Sequence, residues 1–234
     1  MTYVLHPMGD HAVVIEIGSK IESSAIQTIQ EITNYLDETP PKWMIEYIPA
    51  FTTVTIVYDP IIAYKQSHQH SLPIDFIKLQ LHEILSNLTR NKSMTERIIE
   101  IPVCYGEEYG PDIETVAEVN GLSVDEVIEL HSSANYLVYM IGFSPGFPYL
   151  GGMSERIATP RRKTPRLTIP ARSVGIAGMQ TGIYPIDTPG GWQLIGRTPI
   201  KLFQPEKEQP SLLRAGDTVI FKPISKKQFE NWEI

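Results

Sequence analysis

The 234-residue chain holds a single cysteine, Cys104, so neither an internal disulfide nor a cysteine-cluster zinc site can form. No apolar run approaches the roughly 20 residues that cross a bilayer. The opening Met1-Thr-Tyr-Val-Leu-His-Pro7 has no charged segment leading into an apolar one, so no secretory signal is expected. Positive charge is scarce: 20 Lys and Arg face 27 Asp and Glu, a net charge of −7 that argues against a nucleic-acid partner. No Gly-x-x-x-x-Gly-Lys-Ser/Thr phosphate loop occurs, and no Gly-x-Gly-x-x-Gly turn. Internal repeats and low-complexity tracts are absent too. These absences lead to the expectation of a soluble cytoplasmic protein with no membrane partner. The Asn87-Leu-Thr89 and Asn91-Lys-Ser93 sequons carry no meaning in that compartment.

What is present begins with apolar content. A hydrophobic fraction of 42% suffices for a core. Tyr3–Pro7 and Ala12–Ile17 read as strands around a Gly9-Asp10 turn. Ile21, Ala25, Ile29, Ile32 and Leu36 mark one face of a helix, with Ser19 and Glu22 as its capping box and Thr39-Pro40-Pro41 as its stop. Trp43–Ile48 and Val54–Tyr58 read as strands, the second ended by Asp59-Pro60. Pro73 opens a second helix carrying Ile74, Ile77, Leu81, either Ile84 or Leu85, and Leu88. This order predicts a small α+β domain over residues 1–91, with two helices on an antiparallel sheet. The polar stretch Thr89–Glu96 is the expected linker.

Over residues 92–234 the reading turns to β. Ile99, Ile101 and Val103 alternate as in a strand. Two short helices follow, one ended by Asn120-Gly121 and one capped by Ser123 with Glu126. Tyr136–Phe143 is a strand. Others are expected near Leu167–Ile169, Val174–Ala177, Gln193–Ile195, Ile200–Phe203 and Val219–Phe221, with a terminal helix in Ser225–Trp232. A closed barrel with two helices attached fits this pattern.

Between Gly142 and Pro199 lie 10 of the 16 glycines and 8 of the 19 prolines. That density excludes a long helix and favours short strands joined by specific turns. The stretch also concentrates positive charge: Arg156, Arg161, Arg162, Lys163, Arg166 and Arg172, opposed nearby only by Glu155. Arginines pinned by prolines and glycines suit bidentate recognition of carboxylates or phosphates. An anionic ligand or an acidic partner surface is therefore expected here. Phe147, Tyr149, Tyr184 and Trp192 read as walls of an apolar groove, and Phe143 as core. Gln180, Thr181 and Gln193 either satisfy backbone groups or point into a pocket. His131 ends a helix, where an imidazolium would meet the helix dipole favourably. That reading is preferred to acid–base catalysis. Cys104, after Ile-Pro-Val, reads as buried packing. The pair His68-x-His70 has no third ligand nearby and reads as a solvated loop, so no metal site is expected. No catalytic nucleophile can be assigned.

Six segments together carry a family resemblance: Gly142-Phe-Ser-Pro-Gly-Phe-Pro-Tyr-Leu-Gly-Gly152, Thr159-Pro-Arg-Arg162, Thr164-Pro-Arg166, Ser173-Val-Gly-Ile-Ala-Gly178, Gln180-Thr-Gly-Ile-Tyr-Pro185 and Pro189-Gly-Gly-Trp-Gln-Leu-Ile-Gly-Arg-Thr-Pro199. Upstream, Ile101-Pro-Val-Cys-Tyr105, Leu130-His131 and Gly9-Asp10 also fit. The chain resembles the bacterial family of 5-oxoprolinase B subunits, also named KipI or allophanate hydrolase subunit 1. The resemblance implies an N-terminal α+β domain and a cyclophilin-like β-barrel. It implies partners, the A and C subunits of 5-oxoprolinase, and ATP as co-substrate in opening 5-oxoproline to glutamate, with the chain inactive alone. A metal accompanying the ATP stays open. Arg161, Arg162 and Arg166 would stabilise a transferred phosphoryl group, and Arg197 would clamp a carboxylate. The alternative it implies is a binding module that inhibits autophosphorylation of a sporulation sensor histidine kinase. Prolyl isomerase activity is set aside because fold does not imply function. The allophanate name is taken as a naming inheritance. One departure stands out: the family usually reads Pro-Ala-Gly-Ser where this chain has Pro170-Ala-Arg-Ser173.

Overall fold

The computed structural model describes residues 2–19, 23–67, 71–88 and 97–232. The chain divides into two compact units, Met1–Thr95 and Glu96–Ile234. The expected linker Thr89–Glu96, the His68 and His70 pair, the Glu22 half of the first capping box and the Asn91 sequon lie outside the described residues.

The first unit carries β1 (Val4–Met8), β2 (Ala12–Glu16), α1 (Ser23–Glu38), β3 (Met44–Pro49), β4 (Thr53–Tyr58), α2 (Pro60–Gln66) and α3 (Pro73–Asn87). Its strands form one antiparallel sheet in the order β1-β2-β4-β3. Alternation along the strands sends Val13, Ile15, Val54, Ile56 and Tyr58 to one face. There they pack with Ile29, Ile32 and Leu36 of α1 and with Ile77, Leu81 and Leu85 of α3. Burial of each such side chain contributes about 1.5–3 kcal/mol. Helix α2 goes beyond the sequence reading. Asp59-Pro60 starts a helix rather than merely ending β4: the Asp59 carboxylate accepts from the N–H groups of Ile61 and Ile62 at 2.8 and 3.1 Å, and Pro60 occupies the first turn.

The second unit carries β5 (Ile98–Tyr105), α4 (Ile113–Asn120), α5 (Val124–Ser132), β6 (Asn135–Ile141), β7 (Pro148–Gly151) and a 3₁₀ turn at Glu155–Ile157. It continues with β8 (Arg166–Ile169), β9 (Ser173–Ala177), β10 (Gln180–Ile183), β11 (Thr188–Gly190), β12 (Gln193–Arg197), β13 (Thr218–Pro223) and α6 (Lys226–Glu230). Seven strands close into a barrel in the order β10-β7-β6-β13-β5-β12-β9. Only β13 and β5 among these neighbours run parallel. Strands β8 and β11 pair apart from the barrel as a two-stranded arm. The expected caps are present: Gly121 closes α4 in the left-handed region at φ 65°, and Ser123 and Glu126 form the capping box of α5. Two differences stand out. The expected strand Ile200–Phe203 is reduced to one isolated bridge, Phe203 to Ser211, and β7, β10 and β11 form within the Gly/Pro stretch.

The barrel interior is filled by Ile101, Val103, Val138, Leu150, Val174, Ile176, Ile183, Ile195, Val219 and Phe221, all fully buried. Cys104 is buried, as expected, and burial pushes its thiol up. A second apolar cluster lies under the Gly/Pro loops. Phe147, Ile169, Tyr184, Trp192 and Leu194 build it, and the candidate site forms on it.

Candidate functional site

Phe147 is the hub of the aromatic cluster. Its ring meets Tyr149, Tyr184, Trp192 and Phe143 edge-on, with centroids 4.9, 5.2, 5.5 and 5.5 Å away. Edge-to-face contacts of this kind add about 0.5–1.5 kcal/mol each beyond burial and fix ring orientation. Phe147 and Tyr184 are 1% exposed, so they form the floor rather than the rim. Phe143 departs from its expected core role. It is 63% exposed, with its backbone at φ 68°. The Ser144-Pro-Gly-Phe147 turn, closed by a Phe147 N–H to Ser144 C=O bond of 3.0 Å, leaves Phe143 outside and turns Phe147 in.

The five aromatic residues and Arg161, Pro165, Pro189 and Gly190-Gly191 line a cleft of about 290 Å³. Two glycines are required by its tight walls. A Cβ on Gly182 would lie 2.9 Å from the Pro148 carbonyl and 3.0 Å from the Phe147 ring, and one on Gly190 would lie 2.6 Å from the Tyr184 hydroxyl. Burial pushes the Tyr184 hydroxyl up to about 12, against a Trp192 backbone hydrogen bond and the Arg161 charge. Tyr184 therefore stays a neutral phenol at physiological pH.

The basic cluster divides. Arg162 and Arg166, expected to face an anionic ligand, meet an internal acid instead. The Asp112 carboxylate, 5% exposed, accepts from Arg162 Nη1 at 2.9 Å and Arg166 Nη2 at 2.8 Å through Oδ1, and from the Leu194 N–H at 2.7 Å through Oδ2. This trio ties the start of α4 to β8, β12 and the Thr159–Arg162 segment. Arg162 N–H adds a bond of 2.7 Å to the Gly191 carbonyl. Asp112 was not among the expected site residues: it lies 50 residues before Arg162 in the chain. Arg161 is the remaining cation at the cleft, exposed and, among the described residues, without an ion pair.

The polar residues left open by the sequence settle individually. Gln193 is 6% exposed and donates to the Pro160 carbonyl at 3.0 Å, so it braces the loop below the cleft. Thr181 is fully buried and donates to the Gly175 carbonyl at 3.0 Å. Its oxygen accepts from His131 Nε2–H at 2.9 Å, which leaves His131 Nδ1 to accept from the half-buried Tyr105 hydroxyl at 2.8 Å. His131 is fully buried and stacks on Phe221 at 4.5 Å. Burial depresses its imidazole to about 3. The expected imidazolium on a helix dipole is therefore replaced by a neutral ring inside the barrel. Gln180, half-buried on β10, pairs with Ala177 and does not line the cleft.

Arg172 and Arg197 sit together at the end of β12 opposite to Trp192. Arg197 pairs with Ser173 across β12 and β9, and its Nε donates to the Ala171 carbonyl at 2.9 Å. Arg172 Nη1 donates to the Pro199 carbonyl at 3.1 Å. Burial first, then the neighbouring Arg172 charge, pushes the Arg197 guanidinium down. Arg172 takes φ 73°, the left-handed region that suits glycine, so the loop keeps a glycine-like backbone despite the side chain.

Among the described residues no cluster of three or more His, Cys, Asp or Glu forms that holds a metal ion. No helix among them is long and apolar enough to cross a membrane.

Over residues 3–213 the chain matches the family described as carboxyltransferase domain, subdomain C and D. It is 49% identical over 232 residues to the B subunit of 5-oxoprolinase from Bacillus subtilis, covering 99% of this chain and 97% of that one. A solved conserved uncharacterized protein of Pyrococcus horikoshii is 44% identical, over 97% of this chain and 100% of that chain, with a TM-score of 0.56. The solved chain TTHA0988 is 33% identical with a TM-score of 0.79, over 92% of this chain but 40% of that one, so this chain spans less than half of its length. With such identity over nearly the whole length, the chain belongs to the 5-oxoprolinase B-subunit family of carboxyltransferase subdomain C and D proteins.

Proposed function

We propose that the chain serves as the B subunit of an ATP-dependent 5-oxoprolinase, opening 5-oxo-L-proline to L-glutamate together with the A and C subunits. The observation that carries this reading is the 49% identity to a 5-oxoprolinase B subunit across nearly the whole chain. The cleft supplies the place. 5-Oxoproline is a small ring with apolar methylenes, a lactam edge and one carboxylate. Aromatic walls from Phe147, Tyr149, Tyr184 and Trp192 suit the ring, and Arg161 suits the carboxylate through charge-assisted bonds. Arg162 and Arg166 act through Asp112 to hold the loop that presents Arg161, and Gln193 braces that loop from below.

A lactam carbon is a poor electrophile. ATP overcomes this by transferring its terminal phosphoryl group to the lactam oxygen, with ADP leaving. Water then adds to the carbon, the C–N bond opens as the nitrogen takes up a proton, and a second water cleaves the resulting acyl phosphate into the carboxylate and free phosphate. The contribution assigned to this chain is binding and orientation of the ring in a cleft walled by aromatic side chains.

The test is 5-oxoproline-dependent ATP hydrolysis by this chain alone, with the C subunit, and with the A and C subunits together. Turnover only in the full mixture supports the proposal. Absence of turnover in every mixture of folded proteins overturns it and leaves the kinase-inhibiting module as the reading to pursue.

A further inference from the structure

Two guanidiniums at the far end of β12 form no ion pair among the described residues. Arg172 reaches to the Pro199 carbonyl, and Arg197 reaches back to the Ala171 carbonyl, at 3.1 and 2.9 Å. Each side chain is thus tethered by one hydrogen bond to the segment that carries the other, and the two charges are close enough for Arg172 to act on Arg197. Both residues are half-buried. Each has further N–H donors beyond that tether. Among the described residues neither forms an ion pair, unlike Arg162 and Arg166. The Asp187 carboxylate accepts from the Ala171 N–H at 2.6 Å, and its charge offsets only part of the burial and Arg172 repulsion that push Arg197 down. The backbone is equally committed. The Arg172 N–H donates to the Tyr184 carbonyl at 2.5 Å, its carbonyl accepts from the Thr198 N–H at 3.0 Å, and its φ is 73°. A side chain other than glycine's adopts this conformation at a cost and persists there when its surroundings over-determine it.

We propose that Arg172 and Arg197 form a binding site for a phosphoryl oxyanion, the group shared by free phosphate and the terminal phosphate of a nucleotide. Two like charges held together at half burial repel each other. A tetrahedral dianion accepts from both planar forks at once and cancels both charges. A single carboxylate cancels only one. The site lies apart from the aromatic cleft, since neither arginine lines it. It stands on these residues alone and does not require the lactam-opening reading.

The test is an amide NMR titration of the isotope-labelled chain in chloride buffer, with inorganic phosphate, ATP and glutamate as separate probes. Phosphate or ATP is expected to shift the Arg172, Ser173 and Thr198 amides saturably. Arg172→Gly and Arg197→Gln are each expected to weaken that binding about tenfold or more, the loss of a charge-assisted contact. Lys207→Gln, an exposed charge elsewhere, is expected to leave it unchanged. Arg172→Gly suits the left-handed backbone, so a loss in that variant reports the guanidinium rather than the fold. Tighter binding of ATP than of phosphate at the same amides identifies a nucleotide as the source, and the reverse identifies free phosphate. Absence of saturable shifts with either probe overturns the proposal. So does unchanged affinity in both arginine variants, or a response to glutamate without one to phosphate. Because binding is read on the chain alone, such a failure leaves the turnover assay untouched.

Discussion

Arg161 and Arg162 are neighbours in sequence, and the structure gives them opposite fates. Arg162 turns inward with Arg166 onto one Asp112 oxygen, while Arg161 stays exposed at an aromatic cleft. The same division recurs farther along: among the described residues neither Arg172, before β9, nor Arg197, at the end of β12, forms an ion pair. Closed charge builds the loop scaffold, and open charge is available to a ligand. Composition treats all five arginines alike, so the difference resides in the fold.

The largest expected effect comes from opening the closed set. Asp112→Asn removes the charge shared by two guanidiniums and is expected to destabilise the second unit by about 2–3 kcal/mol. That lies at or below the roughly 3–5 kcal/mol of a fully buried broken pair, because both arginines keep some solvent. Thermal unfolding measures it, and an unchanged melting temperature would erase the distinction between closed and open charge.

His131 extends the closed class to a neutral group, and its effect depends on pH. Its folded-state value of about 3 lies below the ordinary 6.5, so between those pH values the unfolded chain binds a proton that the folded chain does not. Stability is therefore full above pH 6.5 and lost on acidification, at about 1.4 kcal/mol per pH unit. Urea unfolding at pH 6.5 and pH 5 is expected to differ by about 2 kcal/mol from this residue alone. His131→Gln, which lacks the titrating ring, is expected to flatten that part of the profile.

The open arginines are expected to matter least for stability. In Arg172→Gly, relief of the left-handed backbone offsets the lost Pro199 contact and the added chain freedom, so stability is expected within about 1 kcal/mol of the parent. Arg161→Gln is expected to change stability by less than about 0.5 kcal/mol. Denaturant midpoints for the two variants place each arginine in its class, and a large loss in either assigns that arginine to the scaffold.

How much of this was legible depends on the range of the signal. Helices α1, α3, α4 and α5 announce themselves through apolar spacing, proline starts and the Ser123–Glu126 box, all local. Helix α2 carried the same proline signal as α3, hidden because Asp59-Pro60 also ends a strand. Strands β7, β10 and β11 are three or four residues long and rich in Gly and Pro, so their pairing comes from the barrel and the arm rather than from alternation. The Gly142–Pro199 stretch and its groove aromatics were readable from density alone. The Phe143 and Phe147 assignment turned on one positive φ. Asp112 was not readable. Its partners lie 50 and 54 residues away, and only a lone acid before the short helix α4 marked it.

The most direct test of the account is 5-oxoproline-dependent ATP hydrolysis by the three-subunit mixture containing Arg161→Gln. The account predicts a loss of at least tenfold with the fold intact, concentrated in KM if the carboxylate is held equally in ground and transition states. Parental turnover in that variant would contradict the claim that the unpaired arginine at the aromatic cleft holds the substrate.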